Sequence, residues 1–174
     1  MQLALTVLGK SRTAYIEQLL MAINQCKCAV LEIRATDLSG MTAGYLLVEG
    51  NWNHIAKLEN IFENLEKQLK IQIYKYRQDK KGENPAGLPY MIEAMTIDQS
   101  DIMLNLIAFL STHNIHIIEI KSSRYLDSYT QMPILSTKLI ITIPSDQRLL
   151  QLREEFLDFC DNLNLDAILE PIKR

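Results

Sequence analysis

Cys26 and Cys28 place two thiols on either side of Lys27, and paired thiols invite metal or redox chemistry. A metal site needs about four ligands, and the remaining cysteine, Cys160, lies far along the chain. Cys-x-Cys also differs from the Cys-x-x-Cys spacing of a redox pair. The three thiols therefore read as small buried hydrophobes. His54, His113 and His116 stand in no ligand arrangement with acidic residues. His113 and His116 are three apart across an expected helix-to-strand turn, so both read as solvated or core-edge side chains. A Gly-rich phosphate loop, Gly-x-Ser-x-Gly and His-Glu-x-x-His are all missing, and six glycines serve a dinucleotide fold poorly. No catalytic role, cofactor or metal is expected.

Two loops remain. Ser11-Arg12-Thr13 and Asp98-Gln99-Ser100 each precede an apolar helical stripe. They read either as anion-facing loops or as helix N-caps, since Ser, Thr and Asp are what any helix start prefers. Arg12 has the fork geometry to hold a carboxylate through two hydrogen bonds. Trp52 reads as an aromatic anchor for a partner or as a residue capping the sheet end. Lys75 to Lys81 interleaves bases with Tyr76, but Asp79 interrupts it, and a solvated linker is the expected reading.

The scaffold that must position these residues is ordinary in composition. The chain has 174 residues, 48% hydrophobic and 22% charged, with a formal charge of −3. That charge offers no field toward nucleic acid or an anionic membrane, so neither is an expected partner. The N-terminal MQLALTVLGK lacks a basic leader and alternates like a strand. An odd cysteine count fits a reducing compartment, and the cytoplasm is the expected location.

Leu3, Leu5 and Val7 alternate as a strand, and Ile16, Leu19, Leu20 and Ile23 form a helical stripe. Strands follow at 29–36 and 45–49. Trp52, Ile55, Leu58, Phe62 and Leu65 mark a second helix, and Ile71 opens a fourth strand. Charge, glycine and proline then concentrate in a linker at 78–89. Strand 90–97, a helix through Met103 to Leu110, strands 115–122 and 139–143, helix 149–163 and strand 165–172 repeat the order.

A shift of 87 residues carries Val30-Leu31-Glu32-Ile33-Arg34 onto Ile117-Ile118-Glu119-Ile120-Lys121, and the first helical stripe onto Met103, Leu106, Ile107 and Leu110. The register slips afterwards because the second repeat has a longer hairpin around Tyr125 to Pro133. The expectation is an α+β fold of two tandem ferredoxin-like βαββαβ units, residues 1–77 and 90–174, with antiparallel sheets and helices on one face. Units of about 80 residues are marginal alone, and open sheet edges want pairing, so a homodimer is expected.

Leu5-Thr6-Val7-Leu8-Gly9, Cys26-Lys27-Cys28 and Gly50-Asn51-Trp52-Asn53 make the chain resemble the ACT family of regulatory domains, and within it a group of tandem-ACT transcriptional repressors. The resemblance implies a regulatory protein that contacts a LysR-type transcriptional activator rather than DNA, under control of a small amino acid such as glycine. It places that effector where the loop after the first strand meets the first helix: Ser11, Arg12, Thr13 and Ala14 in one unit, and Asp98, Gln99, Ser100 and Asp101 in the other. The family's Asp-Arg-Pro-Gly is reduced there to Arg12 alone and Asp98 alone. The asparagine it carries early in the second strand is replaced by Ala29 and by His116, which joins the implied site. A ligand-free interaction module and a regulatory subunit of a metabolic enzyme are the competing readings.

Overall fold

The computed structural model describes residues 1–10, 13–78, 86–97 and 101–172, the side chains of Thr13 and Ala14 excepted. Its elements run β1 (Gln2–Lys10), α1 (Thr13–Gln25), β2 (Ala29–Leu38), β3 (Met41–Glu49), α2 (Trp52–Leu69) and β4 (Gln72–Gln78). The order returns with β5 (Gly87–Ile97), α3 (Ile102–Thr112), β6 (His116–Leu126), β7 (Pro133–Pro144), α4 (Leu149–Leu163) and β8 (Asp166–Pro171). The chain divides into two compact units, Met1–Glu83 and Asn84–Arg174. Each holds one four-stranded sheet, ordered β2-β3-β1-β4 and β6-β7-β5-β8, with every neighbour antiparallel. These are tandem ferredoxin-like βαββαβ units, as the repeat implies.

Periodicity explains which face each element buries. Leu3, Leu5 and Val7 on β1 meet Leu19 and Ile23 of α1 and Ile55, Leu58 and Phe62 of α2 in one core. The α2 residues recur every three or four positions, one stripe of the helix surface. Asn51 caps that helix by accepting from the His54 amide at 2.8 Å, and Lys70 ends it in the left-handed conformation. The second core repeats the plan with Ile92, Leu139 and Ile141 under Leu106, Leu110, Leu152 and Phe156.

The repeat extends to irregularities. β2 bulges between Val30 and Glu32, and β6 between Ile117 and Glu119, again 87 residues apart. Lys27 and Asn114, also 87 apart, share a left-handed backbone just past α1 and α3. A bulge adds one unpaired residue and sharpens the strand twist, so it holds its place as firmly as a core position.

Several strands outrun their apolar patterns. β3 starts at Met41 rather than Tyr45, because Leu38 and Met41 pair across a two-residue Ser39-Gly40 turn. β7 starts at Pro133, six residues ahead of its apolar run, and pairs with a β6 that continues to Leu126. Backbone pairing extends these ladders where side-chain pattern is silent. The Lys75–Lys81 tract is corrected most. Lys75 to Gln78 belong to β4, where Lys75 lies 3.5 Å from Glu63 and Arg77 binds Glu59 of α2. Residues 79–81 lie outside the described set.

Candidate functional site

Of the nine residues that the family resemblance places at an effector site, Ser11, Arg12, Asp98, Gln99 and Ser100 lie outside the described residues. Thr13 and Ala14 form the first turn of α1. Asp101 is the residue before α3, exposed, and its carboxylate makes no capping bond to the helix. His116 opens β6 opposite Thr142 and is exposed.

The strand ends feeding the two loops are built differently. At the end of β1, a Cβ on Gly9 would lie 2.6 Å from Ile71 Cγ2 and 3.5 Å from Tyr15 Cε1. Glycine is therefore required by close approach of neighbours. Tyr15 also donates its hydroxyl to the Thr42 carbonyl at 3.1 Å, tying α1 to the start of β3. The matching position of the second unit is Thr96, whose hydroxyl donates to the Asn164 carbonyl at 3.2 Å.

The thiols are packing groups, as their spacing suggests. Cys26 and Cys160 are buried and Cys28 half-buried. Burial raises all three thiol pKa values, that of Cys160 to about 11 with help from the Asp161 carboxylate. Among the described residues no group of three or more His, Cys, Asp or Glu is placed to hold a metal ion. Because the thiolate is the nucleophile, Cys160 should alkylate about two to three orders of magnitude more slowly than a free thiol at pH 8. Iodoacetamide labelling followed by mass spectrometry, native against urea-unfolded, checks this.

His113 takes the core-edge alternative of its reading and is half-buried. It follows α3, stacks on Phe109 at 4.4 Å between ring centroids, and its two nitrogens face two acceptors. Nδ1 lies 2.8 Å from the Phe109 carbonyl and Nε2 lies 2.7 Å from Glu155 of α4. Only the doubly protonated ring donates to both. Burial by itself pushes the imidazole pKa down, but the Phe109 carbonyl and the Glu155 carboxylate outweigh it and the pKa is raised. The hydrogen bond from His113, then that from Gln151, holds Glu155 low.

A histidine raised in the folded state stabilises fully below its unfolded pKa, about 6.5, and loses that contribution as pH climbs through the folded value. Glu155 contributes above about pH 4.3 and loses it as pH falls. The pair is therefore strongest near pH 5–6. Urea melts across pH 5–8.5 should show stability of the second unit falling on the alkaline side, and His113→Gln should flatten that slope. An unchanged slope in the variant would remove His113 as the cause.

Trp52 meets a residue of strand β4 and is not buried. It is 61% exposed at the start of α2, with the Arg77 guanidinium 5.9 Å over its ring. A trough that sequence reasoning did not foresee lies on the sheet face of the second unit turned away from α3 and α4. It encloses about 470 Å³ and is lined by Lys121, Lys138, Glu93, Asp166, Met95 and Ile168. These six come from four strands, and only the ladder register brings them together. No short motif could have signalled them.

At the tip of the β6–β7 hairpin, the Asp127 carboxylate accepts from the amides of Tyr129 and Thr130 and from the Thr130 hydroxyl at 2.7–3.0 Å. Those bonds hold Asp127 below the usual carboxylate range. The ordered loop presents Tyr129 at 94% exposure, beside Leu126 and Met132.

No curated protein sequence matches the chain significantly. Residues 1–75 match the ACT domain family. Among solved structures, one assigned as a glycine cleavage system transcriptional repressor aligns over 99% of this chain and 98% of its own, with TM-score 0.77 and 17% identity. A protein of unknown function from Galdieria sulphuraria aligns over the same shares, with TM-score 0.78 and 16% identity. At such identities these structures share the fold. Residues 1–75 thus match an ACT domain, and the second unit repeats the same βαββαβ plan without a family match of its own.

Proposed function

We propose that the chain is a regulatory protein without catalytic activity, an accessory transcriptional repressor of amino-acid metabolism. Its target would be the glycine cleavage system, reached by contact with a LysR-type activator rather than with DNA. Glycine or another small amino acid would modulate that contact by preferring the free or the bound form. It would act in the cytoplasm as a homodimer. No helix among the described residues is long and apolar enough to cross a membrane.

The observation that carries this reading is that an ACT domain match over residues 1–75 is followed by a second unit of the same βαββαβ plan. The likeness in fold to the assigned repressor supports it. A hairpin tip whose backbone turn is held by Asp127 and which presents an exposed tyrosine supports action by protein contact, since tyrosine is enriched among the residues that anchor interfaces.

The test is to mix the purified chain with a LysR-type activator of the same genome and follow complex formation by calorimetry with and without glycine. A complex that glycine strengthens or weakens supports the reading. A glycine-insensitive complex leaves the interaction module, and co-purification with a metabolic enzyme instead of an activator establishes the regulatory subunit.

A further inference from the structure

We infer that the trough on the outer sheet face of the second unit is a binding site for a zwitterionic α-amino acid. The inference rests on the proposed function for supposing that such a ligand acts, and on sheet geometry for its place.

The argument begins with a like-charge pair. Lys121 on β6 stands directly opposite Lys138 on β7 in the ladder. Like charges opposed across two strands destabilise a sheet unless something neutralises them. The second unit is poor in bases, with seven Lys and Arg against twelve Asp and Glu over residues 84–174, yet two of the seven are side by side here. Lys138 is neutralised by Glu93 on β5, at 2.7 Å from Nζ to Oε1. Lys121 has no ion-pair partner among the described residues.

The other wall has the opposite sign. Glu93 is followed on the same face by Met95, which pairs with Asp166 on β8. Asp166 likewise has no ion pair among the described residues. The face therefore reads positive, positive, negative across β6, β7 and β5, with a further carboxylate one row away on β8.

Strand spacing selects the ligand. Neighbouring strands lie about 4.8 Å apart, so the β6 and β8 backbones are about 14 Å apart while those of β7 and β5 are adjacent. A molecule with its two charges two bonds apart cannot span the outer pair, but it fits the boundary between Lys138 and Glu93. Its carboxylate would face Lys138, with the long Lys121 side chain reaching it from β6, and its ammonium would face Glu93, with Asp166 diagonal to it across the β5–β8 boundary. The Lys138–Glu93 bridge opens to admit it, and each of its halves gains an ionic partner in the ligand. Both are about half exposed and strongly solvated, so little is lost in opening it. Ser123 and Ser136 offer hydroxyls along one side of the trough. Met95 and Ile168, 47% and 58% exposed, would be covered by a short side chain. A volume of about 470 Å³ is ample for a small amino acid.

The test is a backbone-amide NMR titration of the intact chain with glycine and L-serine, with acetate and methylamine as single-charge controls. Saturable shifts confined to residues 93–95, 121–123, 136–138 and 166–168 are expected, with weaker effects from either control. Lys121→Met and Asp166→Asn should each weaken binding by about tenfold or more, the loss of one charge-assisted contact, without lowering the melting temperature. Saturable shifts confined to residues 9–14 or 97–102 overturn this site and leave the amino-acid reading standing. No saturable shift with either amino acid overturns the site, while the complex with the activator remains measurable separately. Shifts on this face that follow protein concentration without ligand overturn it in favour of self-association.

Discussion

Truncating Phe156 to alanine should remove about 3–5 kcal/mol from the second unit. Phe156 is almost wholly buried on α4, among the central side chains of that unit's core. Its ring lies 5.7 Å from Phe109 of α3 and 6.4 Å from Phe159, so one truncation loosens the packing between both helices and the sheet. A domain of about 90 residues has a total stability of roughly 5–14 kcal/mol, which makes this loss a large share. The core of the first unit contains none of these atoms. Urea unfolding followed at residues of each unit should therefore show the second moved to low denaturant and the first nearly unmoved. Equal displacement of both would show that the two cores unfold as one.

Gly9→Ala tests the end of β1, where the loop implied by the ACT resemblance begins. The added methyl would press on Ile71 Cγ2 at 2.6 Å and on Ile71 Cβ at 3.3 Å. Ile71 is 6% exposed, and branching at Cβ restricts its rotamers, so it cannot step aside cheaply. Overpacking of this kind costs about 1–3 kcal/mol. In an Ile71→Ala background most of the obstruction is gone, and the same substitution should cost clearly less. That non-additivity, read from a double-mutant cycle in thermal or urea melts, separates crowding from any intrinsic effect of alanine in a strand. Equal costs in both backgrounds would assign the glycine to some other need.

The sequence alone determined the element order, the helical stripes and the repeat. The stripe Ile55, Leu58, Phe62 and Leu65 is a local pattern, and burial of that face is its direct consequence. The structure adds paired bulges at the same 87-residue shift, which the side-chain pattern did not announce. Strand ends were less legible. β7 gains Pro133 to Lys138 from backbone pairing with β6 and β5, which needs no apolar alternation.

The chemistry of the surface was decided only in three dimensions. Lys75 and Arg77 look like linker charges in one dimension, yet α2 brings Glu63 and Glu59 to them from twelve and eighteen residues away. His113 looks unremarkable until α4 sets Glu155 against its second nitrogen, 42 residues along the chain. Lys121, Lys138, Glu93 and Asp166 lie up to 73 residues apart and meet because antiparallel register aligns four strands that the sequence separates by helices and a hairpin. Local patterns report which face a residue takes, because that depends on its near neighbours in the chain. Which charges share the face depends on strand order and register, and those are set by long-range pairing.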